Sequence, residues 1–410
     1  MKYFSFLILS LCIFSSCTTP LSPQENSALS QTESKTKEEK MPLTREILNE
    51  SLQLGSNFLL ENQKPEGNFE YEYNFKTKEY IEDDNQVRQA GALWGVSLLH
   101  AENPSEETEE ALKKGLAFFR NHSQETNFGG RFIVYPGDSQ GSTGTIALVS
   151  LALIEWLKSD ESIENRAQYE ADLSEYLSFL RSLRMENGQF FSRFQHKNGS
   201  GVGNPSPYFD GEALLALTKA AKYMNDSERI PDIMDSAEAM YTQNVTLALQ
   251  KDKDSNTTKG FYQWGSMAFY EIFTAKWEGS EPYAKRTIEM AYWMIDTHKI
   301  LQKTRNTAYA YEGIISAYEL AYLTKDTKAQ EYFQNVIETG LQKLTSWQVG
   351  NSLENSYLKA NVDTTDQKAI GGIMNSKDEP TLRIDVTQHQ MHAVLLAREF
   401  LWRIPIFSSE

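Results

Sequence analysis

The chain has 410 residues, with 40 Lys and Arg against 56 Asp and Glu, for a formal net charge of −16. No basic stripe runs through it, which excludes a nucleic-acid partner and a polybasic membrane contact. Both cysteines, Cys12 and Cys17, fall in the head, so the body of the chain has no disulfide, thiol nucleophile or cysteine metal ligand.

Lys2 is followed by an apolar run over 3–14 that is too short to stay in a bilayer as a helix. It ends in Phe14-Ser15-Ser16-Cys17, small residues directly before a cysteine, and so resembles the lipobox of bacterial lipoproteins. The resemblance implies a signal peptide over 1–17 and acylation of Cys17. It also implies an exported protein of the bacterial cell envelope, touching the membrane through its lipid anchor alone. A cleaved signal with an incidental cysteine is the plainer alternative, and it too exports the protein. Residues 18–43 are rich in Ser, Thr, Glu, Lys, Gln and Pro and read as a disordered polar tether. The domain then runs over 44–410, a length that one closed helical ring can use.

From Thr44 the chain alternates two kinds of helix. Ile47, Leu48, Leu52, Phe58 and Leu59 recur at helical spacing with Arg45, Glu46, Glu50 and Gln53 between them, one wet face and one dry. Similar amphipathic helices are predicted over 107–120, 165–183, 230–249, 282–301 and 328–344. Each is followed by a helix opening on a Gly-, aromatic- or charge-bearing motif. These motifs are DDNQVRQAGALW over 83–94, GSTGTIALVSLALIEW over 141–156 and YFDGEALLALTKAA over 208–221. The remaining three are FYQWGSMAFYEIF over 261–273, YAYEGIISAYELAY over 309–322 and RIDVTQHQMHAVLL over 383–396. Most of these second helices are apolar nearly all round and rich in small residues, so they are buried on every side. Long loops precede most of them, at 67–84, 128–141, 188–207, 252–262 and 350–382, whereas the connections that follow are short and charged. No strand run is predicted beyond a short hairpin arm at 188–194.

This pattern resembles the (α/α)6 six-hairpin superfamily, which holds glycoside hydrolases, sugar epimerases and polysaccharide lyases. Several motifs also resemble those of a bacterial group within it. They are Arg88-Gln89-Ala90-Gly91, the run from Tyr208 through Gly211-Glu212-Ala213-Leu214-Leu215, and Gly371-Gly372 with Arg383-Ile384-Asp385 and Gln388-His389. The resemblance implies an all-α toroid of about twelve helices in six hairpins, with the inner helices parallel. Their N-terminal motifs then meet at one rim. Fold alone is a weak warrant for chemistry, because such toroids host many reactions.

The rim candidates each have a structural alternative. Arg88 sits in a first helical turn, where the dipole disfavours a cation. It either pairs with Asp83 or Asp84, the latter a natural N-cap, or binds a polar substrate. Asp210 and Glu212 are a helix cap and a dipole-favoured acid, or else substrate-binding and catalytic carboxyls. Glu312 repeats that choice. Asp385, His389 and His392 share one helix face, but too few further ligands stand there for a metal site, so Asp385 is read as a helix cap or a base and His389 as a hydrogen-bonding residue of the inner wall. Arg383 either clamps a substrate carboxylate or pairs with an acid from another motif. Tyr208, Tyr262, Trp264, Tyr309 and Tyr311 pack between hairpins, or some of them form a sugar-stacking floor.

The sequence therefore favours a carbohydrate-acting, glycoside hydrolase-like domain, with Glu212, Asp385, Glu312 and His389 as catalytic candidates and no cofactor or metal. Arg88, Tyr208, Asp210, Trp264, Tyr311 and Arg383 would bind the carbohydrate or other polar small-molecule ligand. The alternatives are a uronate lyase or epimerase that moves protons through Tyr208 or His389, and a non-catalytic envelope scaffold that binds glycan or protein.

Overall fold

The computed structural model describes residues 41–224 and 226–403. The apolar head, Cys17 and nearly all of the tether lie outside the described residues.

Twelve long helices follow in pairs. The outer ones are α1 (Arg45–Glu61), α3 (Glu106–Asn121), α5 (Arg166–Ser182), α7, α9 and α11 (Thr327–Thr345). The inner ones are α2 (Gln86–Glu102), α4 (Thr143–Ser159), α6 (Pro207–Tyr223), α8 (Asn256–Ala275), α10 (Ala308–Leu323) and α12 (Ile384–Phe400). Helix α7 begins as Ile230–Tyr241, passes through a π turn at Thr242–Thr246 and finishes as Leu247–Lys251. Helix α9 runs over Pro282–Tyr292 into a second π turn at Trp293–Thr297.

Local chemistry fixes many of the starts. Thr44 accepts a hydrogen bond from Ile47 N, Ser105 and Thr108 form a reciprocal capping box, and Asp326 accepts from Ala329 N. Pro207 opens α6, where its missing N–H costs nothing.

The inner helices close a ring: α2 packs on α4, then α6, α8, α10 and α12 follow, and α12 returns to α2. The outer helices lie against the seams of that ring, with α1 on both α12 and α2. Inner faces touch closely because small residues stand at the contacts. A Cβ on Gly211 of α6 would lie 2.5 Å from Trp264 Cβ on α8, and one on Gly95 of α2 would lie 2.7 Å from Gln388 Cγ on α12. Gly91, by contrast, has only ordinary contacts around it. The sequence pattern thus gives the expected toroid, and within α2 the close approach falls at Gly95, one turn beyond Gly91.

Strands are more numerous than expected but only two or three residues long. β1 (Glu72–Asn74) pairs with β2 (Glu79–Tyr80) and with β8 (Thr381–Arg383), joining the first long loop to the last. β3 (Ser123–Glu125) pairs with β4 (Arg131–Ile133). β5 (Gln140–Ser142) pairs with β6 (Arg193–Gln195), which pairs with β7 (Gly201–Val202). The expected arm at 188–194 is therefore displaced: its hairpin is β6–β7, while Phe190 makes a single bridge to Arg184. These segments are too short to show a period-two pattern. Among the described residues no helix is long and apolar enough to cross a membrane.

Candidate active site

All six inner helices point their N-terminal turns toward one end of the ring, and a cleft of about 800 Å³ opens there. α2 supplies Arg88, α6 supplies Tyr208 and Glu212, and α8 supplies Lys259 and Trp264. α10 supplies Tyr309, and α12 supplies Asp385 and His389, with Arg383 just ahead of it. The aligned N-termini bias this end toward negative charge in a ligand.

Glu212 is only 4 % exposed, yet its Oε2 has no hydrogen-bond partner in the protein. It lines the cleft beside Phe209. Burial alone pushes its carboxyl well above the ordinary carboxylate range. Room for it comes from the neighbouring inner helix, because a Cβ on Gly144 of α4 would overlap Glu212 Oε2. Glu212 thus stands in the cleft wall with Oε2 packed against α4 at Gly144.

Asp385 is held differently. Arg383 donates to both of its oxygens, at 2.9 and 2.8 Å, and Arg88 Nε lies 3.2 Å from Oδ2. Arg88 also lies over the Tyr71 ring, 5.5 Å from its centroid. The expected pairing of Arg88 with Asp83 or Asp84 is thus corrected. Asn85 caps α2, and Asp84 accepts from Gln89 Nε2 and the Tyr135 hydroxyl instead. Ring closure brings α12 beside α2, and a pairing between opposite ends of the chain is invisible to local reading.

Glu312 is fully buried behind the cleft. His392 Nδ1 lies 2.9 Å from it, His389 Nδ1 lies 3.4 Å away, and Gln263 also donates to it. Burial by itself would raise its pKa, but the two imidazoles and their hydrogen bonds outweigh that and lower it. Burial likewise works to lower the pKa of His389, yet Glu312 overrides it and raises the value. Of the two histidines His389 reaches the cleft, beside Gln263, its ring 5.9 Å from that of Trp264. Both histidines turn Nδ1 toward Glu312, so they do not converge with Asp385 on a common metal position.

Two expected substrate contacts are not brought to the cleft. Asp210 is fully buried and accepts from Gln189 Nε2, Phe190 N and Asn244 Nδ2 at 2.8, 3.0 and 2.9 Å. It braces α6 to the π turn of α7, and Ser206 rather than Asp210 occupies the N-cap position. Tyr311 turns outward, its hydroxyl against Gly340 of α11, where no larger residue fits. Tyr262 is also fully buried. Tyr208, 42 % exposed, and Trp264 do line the cleft.

Sequence reasoning missed Lys259, Lys303 and Arg305, which also line it. Helix α8 starts at Asn256, capped by Ser255, so Lys259 lies in its first turns rather than in a loop before Phe261. A Ser-Asn-Thr-Thr sequence ahead of Lys259 was the available signal. Lys303 and Arg305 stand in the short loop before α10, passed over because it lacks the length of the other rim loops.

No protein-family model and no curated protein matches the chain by sequence. Among solved structures it is similar to a family 76 α-1,6-mannanase from Salegentibacter sp. HEL1_6, with a TM-score of 0.60 and 10% identity. That match covers 87% of this chain and 99% of the mannanase. A sugar epimerase from a ruminal bacterium gives a TM-score of 0.57 at 14% identity, covering 87% and 99% of the two chains. An unsaturated glucuronyl hydrolase specific for heparin gives 0.58 at 12%, covering 88% and 99%. At such identities the likeness establishes the (α/α)6 fold and leaves the chemistry to the site.

Proposed function

We propose that this domain acts on carbohydrate in the rim cleft as a glycoside hydrolase-like enzyme, with Glu212 as the proton donor. The observation that carries the reading is a pair of cleft carboxyls in different surroundings: Glu212 buried with no partner at Oε2 and its pKa raised by that burial, Asp385 ion-paired with two guanidiniums. Environments that separate two carboxyls in this way assign acid and base roles. In the hydrolytic step the Glu212 proton passes to the glycosidic oxygen as the bond to the anomeric carbon breaks. Water attacks that carbon, and Asp385 takes the proton the water releases. Arg88 touches Asp385 through Nε alone, so a ligand that draws it aside leaves Asp385 to Arg383. Trp264 and Tyr208 offer apolar faces for a sugar ring. Glu312 acts here as a positioning residue, orienting His389.

A second reading is proton transfer on a sugar, as in an epimerase or isomerase. It is favoured by His389, which reaches the cleft with a buried carboxylate behind it.

The test incubates the domain with a range of oligosaccharides and follows reducing ends and product mass. Hydrolysis adds one water across each bond cleaved, whereas isomerisation leaves the mass unchanged. For the hydrolase, Glu212→Gln should lower turnover by about 10²–10⁴-fold with folding intact. Product formation that survives in Glu212→Gln and disappears in His389→Ala would select the second reading. A folded domain that alters no saccharide would leave a non-catalytic glycan binder.

The lipobox-like Phe14-Ser15-Ser16-Cys17 supports an exported, lipid-anchored protein. Cys17→Ala should then move the protein out of the membrane fraction, and an unchanged fraction would count against acylation there.

A further inference from the structure

The chain is acidic overall, but its cleft reverses the sign. Five cationic side chains line it, namely Arg88, Lys259, Lys303, Arg305 and Arg383, against two carboxyls, Asp385 and Glu212. Arg88 and Arg383 share Asp385. Among the described residues no carboxylate comes within ion-pair distance of Lys259, Lys303 or Arg305. Lys259 is instead held by aromatics: it donates to the Tyr208 hydroxyl at 3.1 Å and lies 5.1 Å over the Tyr309 ring.

The loop bearing the other two cations is pinned. Lys343 Nζ donates to Lys303 O at 2.6 Å, Ser376 Oγ to Thr304 O at 3.2 Å, and Asn306 N to Asn375 O at 2.7 Å. Lys303 and Arg305 are therefore fixed at the cleft by backbone contacts that leave their charged ends free.

The opposite end of the ring shows what the chain does when its cations are meant to be neutralised. There Lys158 and Lys219 pair with Glu155, and Lys219 and Lys222 pair with Glu271, at 2.5–3.6 Å. Like charges confined to a recess repel one another, and low-dielectric walls strengthen that field. A ligand anion in the cleft would supply the partner that these cations lack.

Building on the carbohydrate reading above, we infer that the cleft takes an acidic saccharide, whose anionic group sits among Lys259, Lys303 and Arg305. A uronate carboxylate and a sulfate ester present the same chemistry to these cations.

The test measures binding by calorimetry to the Glu212→Gln domain, which prevents turnover. The ligands are oligosaccharides cut from polygalacturonate, alginate and glucuronoxylan, each beside its carboxyl-reduced form, and a sulfated galactan oligosaccharide free of uronate. At least one acidic form should bind about tenfold or more tightly than its neutral counterpart, with the gap narrowing as salt rises toward roughly 0.5 M. K303A/R305A should remove that gap while leaving the weak binding of the neutral form. Preference for the uronates identifies a carboxylate as the anion, and preference for the galactan identifies a sulfate. If neutral forms bind as well as acidic ones, or K303A/R305A leaves the gap intact, the acidic-ligand inference falls and the carbohydrate reading stands. If none of the acidic or neutral saccharides binds a folded domain, the carbohydrate reading falls and takes the inference with it.

Discussion

At the scale of single residues, Glu212 and Glu312 are two buried carboxyls with opposite consequences for pH. Glu212 has its folded pKa raised, so the native state holds a proton that the unfolded chain releases above about 4.5. Stability is therefore lost as pH rises from that ordinary value toward the folded one. Glu212→Gln lacks this loss, and its melting temperature should match wild type in acid and exceed it progressively toward neutral pH. A variant that melts below wild type throughout would mean that the carboxyl braces the fold. Glu312 has its folded pKa lowered, so its contribution is present above its ordinary value and is lost as pH falls through the folded one. His389 has its folded pKa raised, so its contribution holds below its ordinary value and is lost as pH rises through the folded one. Glu312→Ala leaves two imidazoles facing a void and should destabilise by about 3–5 kcal/mol, measured by urea unfolding at neutral pH. The two glutamates look alike in sequence, each next to a glycine at an inner-helix start. Only the facing residues separate them, an apolar wall with Gly144 for one and two histidines for the other.

At the scale of elements, the helices were legible because each carries its surroundings in its pattern. An outer helix shows one dry face, and an inner helix shows apolar and small residues on all sides. Their caps and pairings were less legible. Asp84 and Asp210 both look like N-caps, but Asn85 and Ser206 hold those positions, and the aspartates bind groups brought in by loops and by α7. The Gly371-Gly372 motif, by contrast, is explained by its fold position. Gly371 adopts φ +86° and lies directly on the Leu54 carbonyl of α1, where a Cβ would overlap the oxygen. It seats the last long loop against the first helix. Gly371→Ala should destabilise by about 1–3 kcal/mol or more through strain and overlap, read as a shift in the denaturation midpoint without a change in its slope. Gly91→Ala is the control, since only ordinary contacts surround it and stability should hardly move.

At the scale of the whole molecule, one ring carries two differently finished ends. The C-terminal ends of the inner helices frame a smaller recess whose cations are paired in the Glu155–Lys219–Glu271 network, whereas their N-terminal ends open on a cleft with a buried, unpartnered carboxyl and unmatched cations. Sequence position identified the rim, since all six motifs were placed there. It could not give the sign of the cleft, because Lys303 and Arg305 sit in a short loop outside the motifs and meet Lys259 only when α10 packs on α8. A proton-donor role requires Glu212 to stand in that rim as a neutral acid, and infrared spectroscopy reads this without knowledge of the substrate. The difference spectrum between the wild-type domain and Glu212→Gln at pH 7 should show the carbonyl stretch of a protonated carboxyl in wild type, absent from the variant. A difference showing only an ionised carboxylate would contradict the proton-donor assignment.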